Sequence, residues 1–267
     1  MFDSHAHVTF EQFDEDRDQV LARAGEAGVT GWIEVGTDVA TSQRAATFAR
    51  QYTGRPPHQV AVWASAGVHP SDIDSLTEEG WESLSELADD EAVVAIGEVG
   101  LDFYRGGTAE RQVPVLERFI DLAMTKNLPV IFHVRDADQG PSAHEALLKL
   151  LASLPDSRRP RGVIHTFSGT QEQAAAYLQL GLMLSFSGVV TFKDAGQVAD
   201  VASSMPIHRM LIETDCPFLA PEPHRSKRNE PAHVRLVAEH IAGLRNITAE
   251  EVITQTAANT KELFGIT

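Results

Sequence analysis

The stretch Leu128-Pro129-Val130-Ile131-Phe132-His133 is a continuous apolar run that ends in a histidine. A strand covered on both faces carries apolar side chains at successive positions, whereas a half-exposed strand alternates apolar and polar residues. The run over residues 162–167, Gly-Val-Ile-His-Thr-Phe, has the same continuous apolar start. Both runs predict buried strands of a parallel sheet, each with a polar group at or near its carboxyl end.

Eight apolar runs recur along the chain, and their starts lie about 20 to 36 residues apart. They are Phe2–His7, Gly31–Val35, Val60–Val68, Ala92–Glu98, Leu128–His133, Gly162–Phe167, Leu182–Ser187 and Met210–Asp215. Each interval accommodates a strand, a helix and their loops. The order predicts an α/β fold, a (β/α)8 TIM barrel, which typically has about 250 residues. We expect a single domain over residues 1–267; an open doubly wound sheet is disfavoured because no Gly-x-Gly-x-x-Gly follows an early run.

The segments between the runs have helical periodicity. In the segment Glu110–Lys126, for example, Val113, Leu116 and Ile120 are spaced by three and four residues. The predicted helices are Asp16–Ala27, Glu110–Lys126, Ser142–Ser153 and Thr170–Leu180, followed after the eighth run by Glu230–Ala242, Ala249–Gln255 and a short helix at Lys261–Phe264.

The composition is that of a globular protein, with 43% hydrophobic and 22% charged residues. No apolar run approaches the roughly 18–20 residues that span a bilayer, so no membrane partner is expected. A lone cysteine, Cys216, excludes an internal disulfide, and the start Met1-Phe2-Asp3 lacks a signal-peptide pattern. These features favour a cytoplasmic location. A monomer is favoured, although the sequence leaves the oligomeric state open.

The formal net charge of −16 argues against broad nonspecific binding of nucleic acid, since phosphate contacts require lysine and arginine. Two basic clusters stand out in this acidic chain, Arg158–Arg161 and His224–Arg228. The first is interpreted as solvated loop charge. For the second, which follows the Asp215 segment, contact with a substrate anion and plain surface charge remain equal alternatives.

Residues able to bind metal close several of the runs. His5 and His7 close the first run and point to one face, because strand side chains alternate between faces. Later runs end, or nearly end, with His69, Glu98, His133, His165 and Asp215. The carboxyl ends of barrel strands surround one pocket. We therefore expect a metal site there with the ligands His5, His7, Glu98, His133, His165 and Asp215.

This predicted ligand set of four imidazoles and two carboxylates exceeds the needs of one tetrahedral ion. Two divalent metal ions about 3.5–4 Å apart use the set better, and such a pair activates water and binds a phosphoryl or acyl oxygen. Glu98 is the expected bridging ligand because it ends a middle strand. Imidazole-rich coordination favours zinc, manganese or iron, with magnesium as an alternative. No chemistry is assigned to the remaining histidines, His58, His144, His208, His233 and His240.

Several segments together resemble the TatD-type metal-dependent hydrolases, the deoxyribonuclease branch of the amidohydrolase superfamily. They are Asp3-Ser4-His5-Ala6-His7, Gly67-Val68-His69-Pro70, Gly97-Glu98-Val99-Gly100-Leu101-Asp102-Phe103-Tyr104, Pro129–Arg135, His165-Thr166-Phe167-Ser168-Gly169, Glu213–Pro221 and Asn229-Glu230-Pro231. The segments follow the family's order and span nearly the whole chain. A lone His-x-His is weak evidence, but the ordered series is strong.

The resemblance implies a TIM barrel with the same six metal ligands and metal-dependent hydrolysis of phosphodiester bonds, often from the 3′ ends of DNA. Asp215 and Glu98 would be catalytic, with Asp215 orienting or deprotonating the attacking water. His69 would lie behind the ligands or contact a substrate phosphate, with a buried structural role as the alternative. Arg135, Arg225 and Asn229 are candidates for substrate binding or for ordering loops.

The sequence leaves two points open, the geometry of the loop at Ser226 and the kind of bond that is hydrolysed. Ser226 stands where the family usually has glycine, which puts the geometry of that loop in doubt. The same metal-activated water can attack a carbonyl carbon, so a deacylase acting on mischarged D-aminoacyl-tRNA, a lactonase or an amidase is the alternative to a nuclease. A non-catalytic binding protein is disfavoured, because every metal-capable position is present.

Overall fold

The structure, a computed structural model, describes residues 1–52 and 60–266. In this part of the chain, eight parallel strands form one sheet whose spatial order follows the sequence. They are β1 (Phe2–Ala6), β2 (Gly31–Glu34), β3 (Ala61–Ala66), β4 (Val93–Asp102), β5 (Val130–Arg135), β6 (Gly162–Ile164), β7 (Met183–Phe186) and β8 (Met210–Ile212). Each predicted run overlaps one strand, with β4 and β5 extending past their runs to Asp102 and Arg135, so the predicted TIM barrel is confirmed.

The barrel is closed between β1 and the segment that follows β8. Ala6 forms a parallel bridge with Cys216, and the His7 amide donates to the Cys216 carbonyl at 2.9 Å. The Asp215 amide in turn donates to the His5 carbonyl at 2.9 Å. The contacts that close the barrel therefore also bring His5, His7 and Asp215 to one place.

Helices surround the sheet. They are α1 (Arg17–Glu26), α2 (Val39–Tyr52), α3 (Glu78–Leu87), α4 (Ala109–Lys126), α5 (Ala143–Ser153), α6 (Gln171–Gln179), α7 (Gln197–Ser204), α8 (Val234–Arg245) and α9 (Ala249–Phe264). The predicted bounds of α1, α4, α5 and α6 agree to within one residue. None of the helices in the described segments is long and apolar enough to cross a membrane.

The two predictions for the C-terminal region need correction. α8 begins at Val234 rather than Glu230, because the preceding residues Pro231–His233 form a separate 3-10 turn. Ala249–Phe264 is one continuous helix rather than two. The apolar pattern breaks at Thr256 and Thr260, but their hydroxyls donate to the carbonyls of Val252 and Thr256, each four residues earlier. Buried threonines thus continue the helix where the sequence pattern suggested a gap.

Buried apolar residues form two layers, one on each side of the strands. Along β5, Phe132 belongs to a large cluster that includes residues of the surrounding helices, whereas Ile131 belongs to a smaller cluster. The smaller cluster lies inside the barrel and includes Leu263 and Phe264 of α9. Because both faces of the sheet are covered, its strands are apolar at successive positions. The interior is packed, which leaves the strand ends as the place for polar chemistry.

Close contact between β4 and β5 is possible because residue 100 is glycine. Gly100 pairs with His133 across the two strands. A Cβ atom at this position would lie 1.9 Å from the His133 carbonyl oxygen. Any side chain here would push the strands apart and move His133 away from Glu98.

Candidate metal centre

A cavity of about 540 Å³ opens at the carboxyl ends of the strands. Its walls include the predicted residues His7, His69, Glu98, His133, His165, Asp215 and Arg135. His5 lies beneath the cavity floor and is fully buried. The structure thus brings all six predicted metal ligands to one end of the barrel.

His5, His7 and Asp215 form the first group of ligand atoms. The Nε2 atoms of the two histidines are 3.1 Å apart, and they lie 3.5 Å and 3.4 Å from Asp215 Oδ1. His7 Nδ1 donates to the Val35 carbonyl oxygen at 2.9 Å. In the neutral ring the single proton is therefore on Nδ1, and the Nε2 lone pair faces the group.

Glu98, His133 and His165 form the second group. Glu98 Oε1 lies 2.7 Å from His133 Nδ1 and 3.0 Å from His165 Nε2. The other oxygen, Oε2, lies 3.4 Å from His5 Nε2. Glu98 therefore directs one carboxylate oxygen to each group, which is the arrangement a bridging ligand requires.

The carboxylate and the histidines of the second group stabilise each other's charged forms. Burial by itself raises the pKa of Glu98, but the neighbouring histidines outweigh it and lower that pKa well below its usual value. Burial lowers the pKa of His165, but Glu98 and Glu213 outweigh it and raise that pKa well above its usual value. The pocket thus holds an ionised carboxylate that is stabilised by positive charge.

The donor set fits divalent cations. Within residues 1–52 and 60–266, no lysine or arginine forms an ion pair with Glu98 or Asp215; their ion-pair partners are all histidines. Ligand atoms of His5, His7 and Asp215, and likewise of His5, Glu98 and His165, lie within 4.8 Å of one another. Buried carboxylates and imidazole lone pairs facing a common point are the chemistry that binds zinc or manganese.

Two carboxylates behind the ligands, Asp102 and Glu213, have roles that the sequence pattern does not predict. Asp102 Oδ2 lies 3.1 Å from His133 Nε2, and Glu213 Oε1 lies 3.2 Å from His165 Nδ1. Carboxylates that hold the far nitrogen of a ligating histidine fix its tautomer and orientation. One signal was available for Glu213, since it precedes Asp215 by two residues and such positions share a strand face.

Glu213 also holds the segment after β6. It accepts hydrogen bonds from the amide and hydroxyl of Thr166, at 2.7 Å and 2.6 Å. Burial raises the pKa of Glu213, but the hydrogen bond and charge of His165 outweigh it and bring that pKa to about 2. An ionised Glu213 therefore fixes both His165 and the backbone that follows it.

His69 stands beside the second group. Its Nδ1 accepts a hydrogen bond from the Ser71 amide, and its Nε2 lies 3.7 Å from Glu98 Oε1. Burial lowers the pKa of His69 to about 4. The neutral ring therefore carries its proton on Nε2, so that an N–H donor faces the cavity.

The three remaining substrate-binding candidates separate in space. Arg135 lines the cavity, whereas Arg225 and Asn229 are not among its walls. The Arg225 guanidinium stacks on Phe192 at 4.1 Å and pairs with Asp194. Asn229 is buried and donates its amide hydrogens to backbone carbonyls. Both residues thus contact protein groups of the loops around them, as the loop-ordering alternative expects, and the substrate role of each stays a prediction.

The loop that follows the Asp215 segment keeps, at Ser226, the backbone conformation for which glycine is usual. Ser226 has φ = 72°, in the left-handed region that glycine adopts most readily. Another arginine of this basic cluster, Arg228, is bound by Asp16. Arg225 and Arg228 of the His224–Arg228 cluster are thus paired with protein carboxylates at the surface and do not line the cavity.

Of the histidines without assigned chemistry, His144 is the one whose position differs most from a surface residue. It is buried, and its Nδ1 lies 3.0 Å from the Tyr177 hydroxyl. His58 lies outside the described residues. His208, His233 and His240 do not line the cavity.

Comparison with known proteins agrees with this geometry. The profile of the family described as TatD related DNase matches residues 2–265. The uncharacterized metal-dependent hydrolase YabD of Bacillus subtilis is 40% identical, over 100% of this chain and 99% of that protein. The 3′-5′ ssDNA/RNA exonuclease TatD of Escherichia coli is 38% identical, over 100% of this chain and 99% of that protein.

Solved structures show the same relationship. A crystal structure of a TatD homologue from Escherichia coli superposes with a TM-score of 0.88 at 30% identity, covering 100% of this chain and 98% of the other. A TatD family hydrolase from Entamoeba histolytica, with a TM-score of 0.87 over 100% of this chain and 98% of the other, is 23% identical and supports the fold. The chain belongs to the TatD-related DNase family.

Proposed function

We propose that this protein is a metal-dependent exonuclease that removes nucleotides from the 3′ ends of single-stranded DNA or RNA. Its membership of the TatD-related DNase family supports a metal-dependent hydrolase acting on phosphodiester bonds. The observation that carries the proposal is the position of Glu98, with one oxygen directed to each group of ligand atoms. The relatives named above do not favour the deacylase, lactonase or amidase alternative.

Two divalent cations are proposed, with zinc, manganese or magnesium as the metals to test. His5, His7 and Asp215 would hold one, His133 and His165 the other, and Glu98 both. When bound, such cations lower the pKa of water and neutralise the charge of a phosphoryl group.

Asp215 has the geometry of a proton acceptor. Its Oδ1 is the oxygen nearest to His5 and His7, and no hydrogen bond within the described residues engages Oδ2. The side chain lines the cavity. Oδ2 is therefore available to orient the attacking water and accept its proton, a role that requires hydrogen-bond reach to the proton removed.

His69 and Arg135 are proposed to bind the phosphate of the substrate. His69 presents its Nε2–H to the cavity beside Glu98. Arg135 makes no ion pair with any described residue, so its guanidinium donors are available to a phosphate. Because the protein as a whole is strongly acidic, local contacts of this kind favour binding at a strand end over binding along a duplex.

End-labelled oligonucleotides test the proposal. Metal-stripped protein should be inactive, and added manganese, zinc or magnesium should restore stepwise release of mononucleotides from the 3′ end of a 5′-labelled single strand. A duplex with blunt ends should be cleaved more slowly. Failure to release mononucleotides with every metal would exclude the nuclease. Shortening of the strand from its 5′ end would overturn the proposed polarity alone.

The chain is also proposed to act as one domain and as a monomer in the cytoplasm. The single continuous sheet supports one domain, and the lone buried Cys216 is compatible with a reducing compartment. Light scattering of the purified protein checks the oligomeric state.

A further inference from the structure

The exposed aromatic side chains of the described segments lie beside the cavity. Phe218 is 48% exposed and lines the cavity, and Tyr104, 49% exposed, stacks with the cavity residue Arg135. The only other large apolar side chain that is exposed in those segments is Met124, near the carboxyl end of α4. Single exposed apolar residues are ordinary on protein surfaces. Two aromatic rings confined to one cavity mouth are a pattern that calls for a ligand.

Phe218 extends an aromatic wall that begins at the metal centre. The ring of Phe10 stacks on His7, with centroids 4.6 Å apart and planes at 23°. The ring centroid of Phe218 is 6.3 Å from those of both Phe10 and His7, and the Phe218 plane is inclined to theirs by 76° and 68°. The wall thus runs from a metal ligand outward to solvent, and a base stacked on the Phe218 ring would lie near the metal centre.

The backbone that carries Phe218 is fixed before any ligand binds. Its amide donates to the Asp215 carbonyl at 3.0 Å, and its carbonyl accepts from the Asn229 side chain at 2.8 Å. The backbone N–H of Asn229 also donates to the Pro217 carbonyl. A wall that is already ordered saves the entropy cost of fixing it on binding.

Tyr104 and Arg135 form a second wall on the other side of the cavity. The Arg135 guanidinium lies 3.8 Å from the centroid of the Tyr104 ring. Tyr104 follows β4 and Arg135 ends β5, whereas Phe10 follows β1 and Phe218 follows β8. In a closed sheet of eight strands in sequence order, β4 and β5 lie opposite β8 and β1. The two aromatic walls therefore face each other across the mouth.

We propose that these two walls bind unpaired bases, one stacked on Phe218 and another on Tyr104 and Arg135. The inference rests on the proposed nuclease function and names the feature of the substrate that the site recognises. Every base has a π-face, so stacking on aromatic rings and guanidinium planes tolerates any sequence. A base inside a duplex is already stacked and paired, and so the walls select single strands.

The overall charge strengthens this assignment. A protein with a net charge of −16 gains little from long-range attraction to a polynucleotide. Base stacking supplies affinity that does not depend on net charge. Binding by stacking is thus the means by which an acidic protein holds a strand end in an open cavity.

Oligonucleotides that lack single bases test the proposal. Phe218→Ala should lower kcat/KM on an intact single strand about 5- to 100-fold, the range given by measured stacking energies of one base. Each of the last three nucleotides is then replaced, one at a time, by tetrahydrofuran, which keeps the backbone and removes the base. At one of these positions Phe218→Ala should have less than about a twofold further effect. Tyr104→Ala should show the same loss of effect at a different position.

Conservative variants separate stacking from folding. Phe218→Trp should keep most of the wild-type kcat/KM, whereas Phe218→Leu, which is apolar but not aromatic, should behave like Phe218→Ala. Met124→Ala removes another exposed apolar side chain, on α4 and outside the cavity, and should leave kcat/KM unchanged. Equal losses for Phe218→Ala on intact strands and on all three base-free strands would overturn the inference while leaving the nuclease intact. A wild-type protein inactive on every strand would instead overturn the nuclease function.

Discussion

The Nε2 atoms of His5 and His7 lie 3.1 Å apart and face the same oxygen of Asp215. His7 already donates from Nδ1 to the Val35 carbonyl, so its Nε2 carries a lone pair when the ring is neutral. Two such nitrogens and a carboxylate oxygen repel one another unless a proton or a cation lies between them. The stability of this arrangement therefore depends on a proton or a cation bound between these atoms.

Metal removal should therefore destabilise the protein as well as inactivate it. A cation that binds the native state at about 100 times its Kd adds about 2.7 kcal/mol to the free energy of unfolding. Chelation should remove that increment, and added manganese or zinc should restore it in thermal unfolding. The Glu98→Gln variant, which lacks the shared carboxylate, should gain little from either metal. Equal metal content in this variant and the wild type, measured by plasma mass spectrometry, would contradict the shared-ligand assignment.

Asp102→Asn should weaken the site without unfolding the barrel. Asparagine keeps the size of the side chain but removes the charge that holds His133 Nε2 at 3.1 Å. Loss of such a partner typically costs 10- to 100-fold in metal affinity or activity, so we expect about that decrease in kcat/KM. Saturating metal should recover part of it. Asp89→Asn, which removes an exposed partner of Lys126, is the matched control and should leave metal affinity unchanged.

Arg135→Ala should raise KM for single-stranded DNA about 10- to 100-fold, as expected when a charge-assisted hydrogen bond worth about 1.5–3 kcal/mol is lost. The slope of log KM against log salt should also become shallower by about 0.7 for each phosphate contact removed from a single strand. Arg225→Ala is a close control, since Arg225 also stacks on an aromatic ring but lies outside the cavity walls. Equal effects of the two substitutions would argue against a phosphate contact by Arg135.

Buried His144 should make the protein less stable in acid. Burial lowers the pKa of His144 from its ordinary 6.5 to about 4. The unfolded chain therefore binds a proton that the folded chain does not, and stability is lost as the pH falls from 6.5 toward 4. The slope of the unfolding free energy in this window should be about 1 kcal/mol per pH unit smaller in His144→Gln than in the wild type, both with chelator present. Identical slopes in urea titrations would show that His144 is not the titrating group.

The pattern of the chain was sufficient for the barrel because hydrophobic periodicity is a local property. Leu128–His133 and the seven other runs each overlap a strand, since a strand buried on both faces carries apolar side chains at successive residues. α2, α3 and α7 had no prediction of their own, and α3 buries only Leu84 among its ten residues. The buried face of α2 is made largely of Ala45, Ala46, Ala49 and small hydroxyl residues, and α7 has only eight residues, so neither gives a strong apolar stripe.

Several side chains at or near the site make contacts that the local sequence does not predict. Arg225 follows the site segment closely in sequence, yet its side chain turns to Phe192 and Asp194. Asp102 and Glu213 were visible in the sequence, but their role depends on which histidine nitrogen each one meets. These outcomes are set by rotamers and by loops packing against distant segments, and no short sequence pattern records them.

The sequence by itself determined the eight strands and the polar residues at their carboxyl ends, because consecutive residues are enough to indicate a strand and its end. It also placed the chain in its family through segments in a fixed order. Only the tertiary structure decided that Glu98 directs one oxygen to each ligand group, that Asn229 fixes the Phe218 loop, and that two aromatic walls face each other. Those relationships join residues that are far apart in the chain, so they exist only once the barrel closes between Ala6 and Cys216.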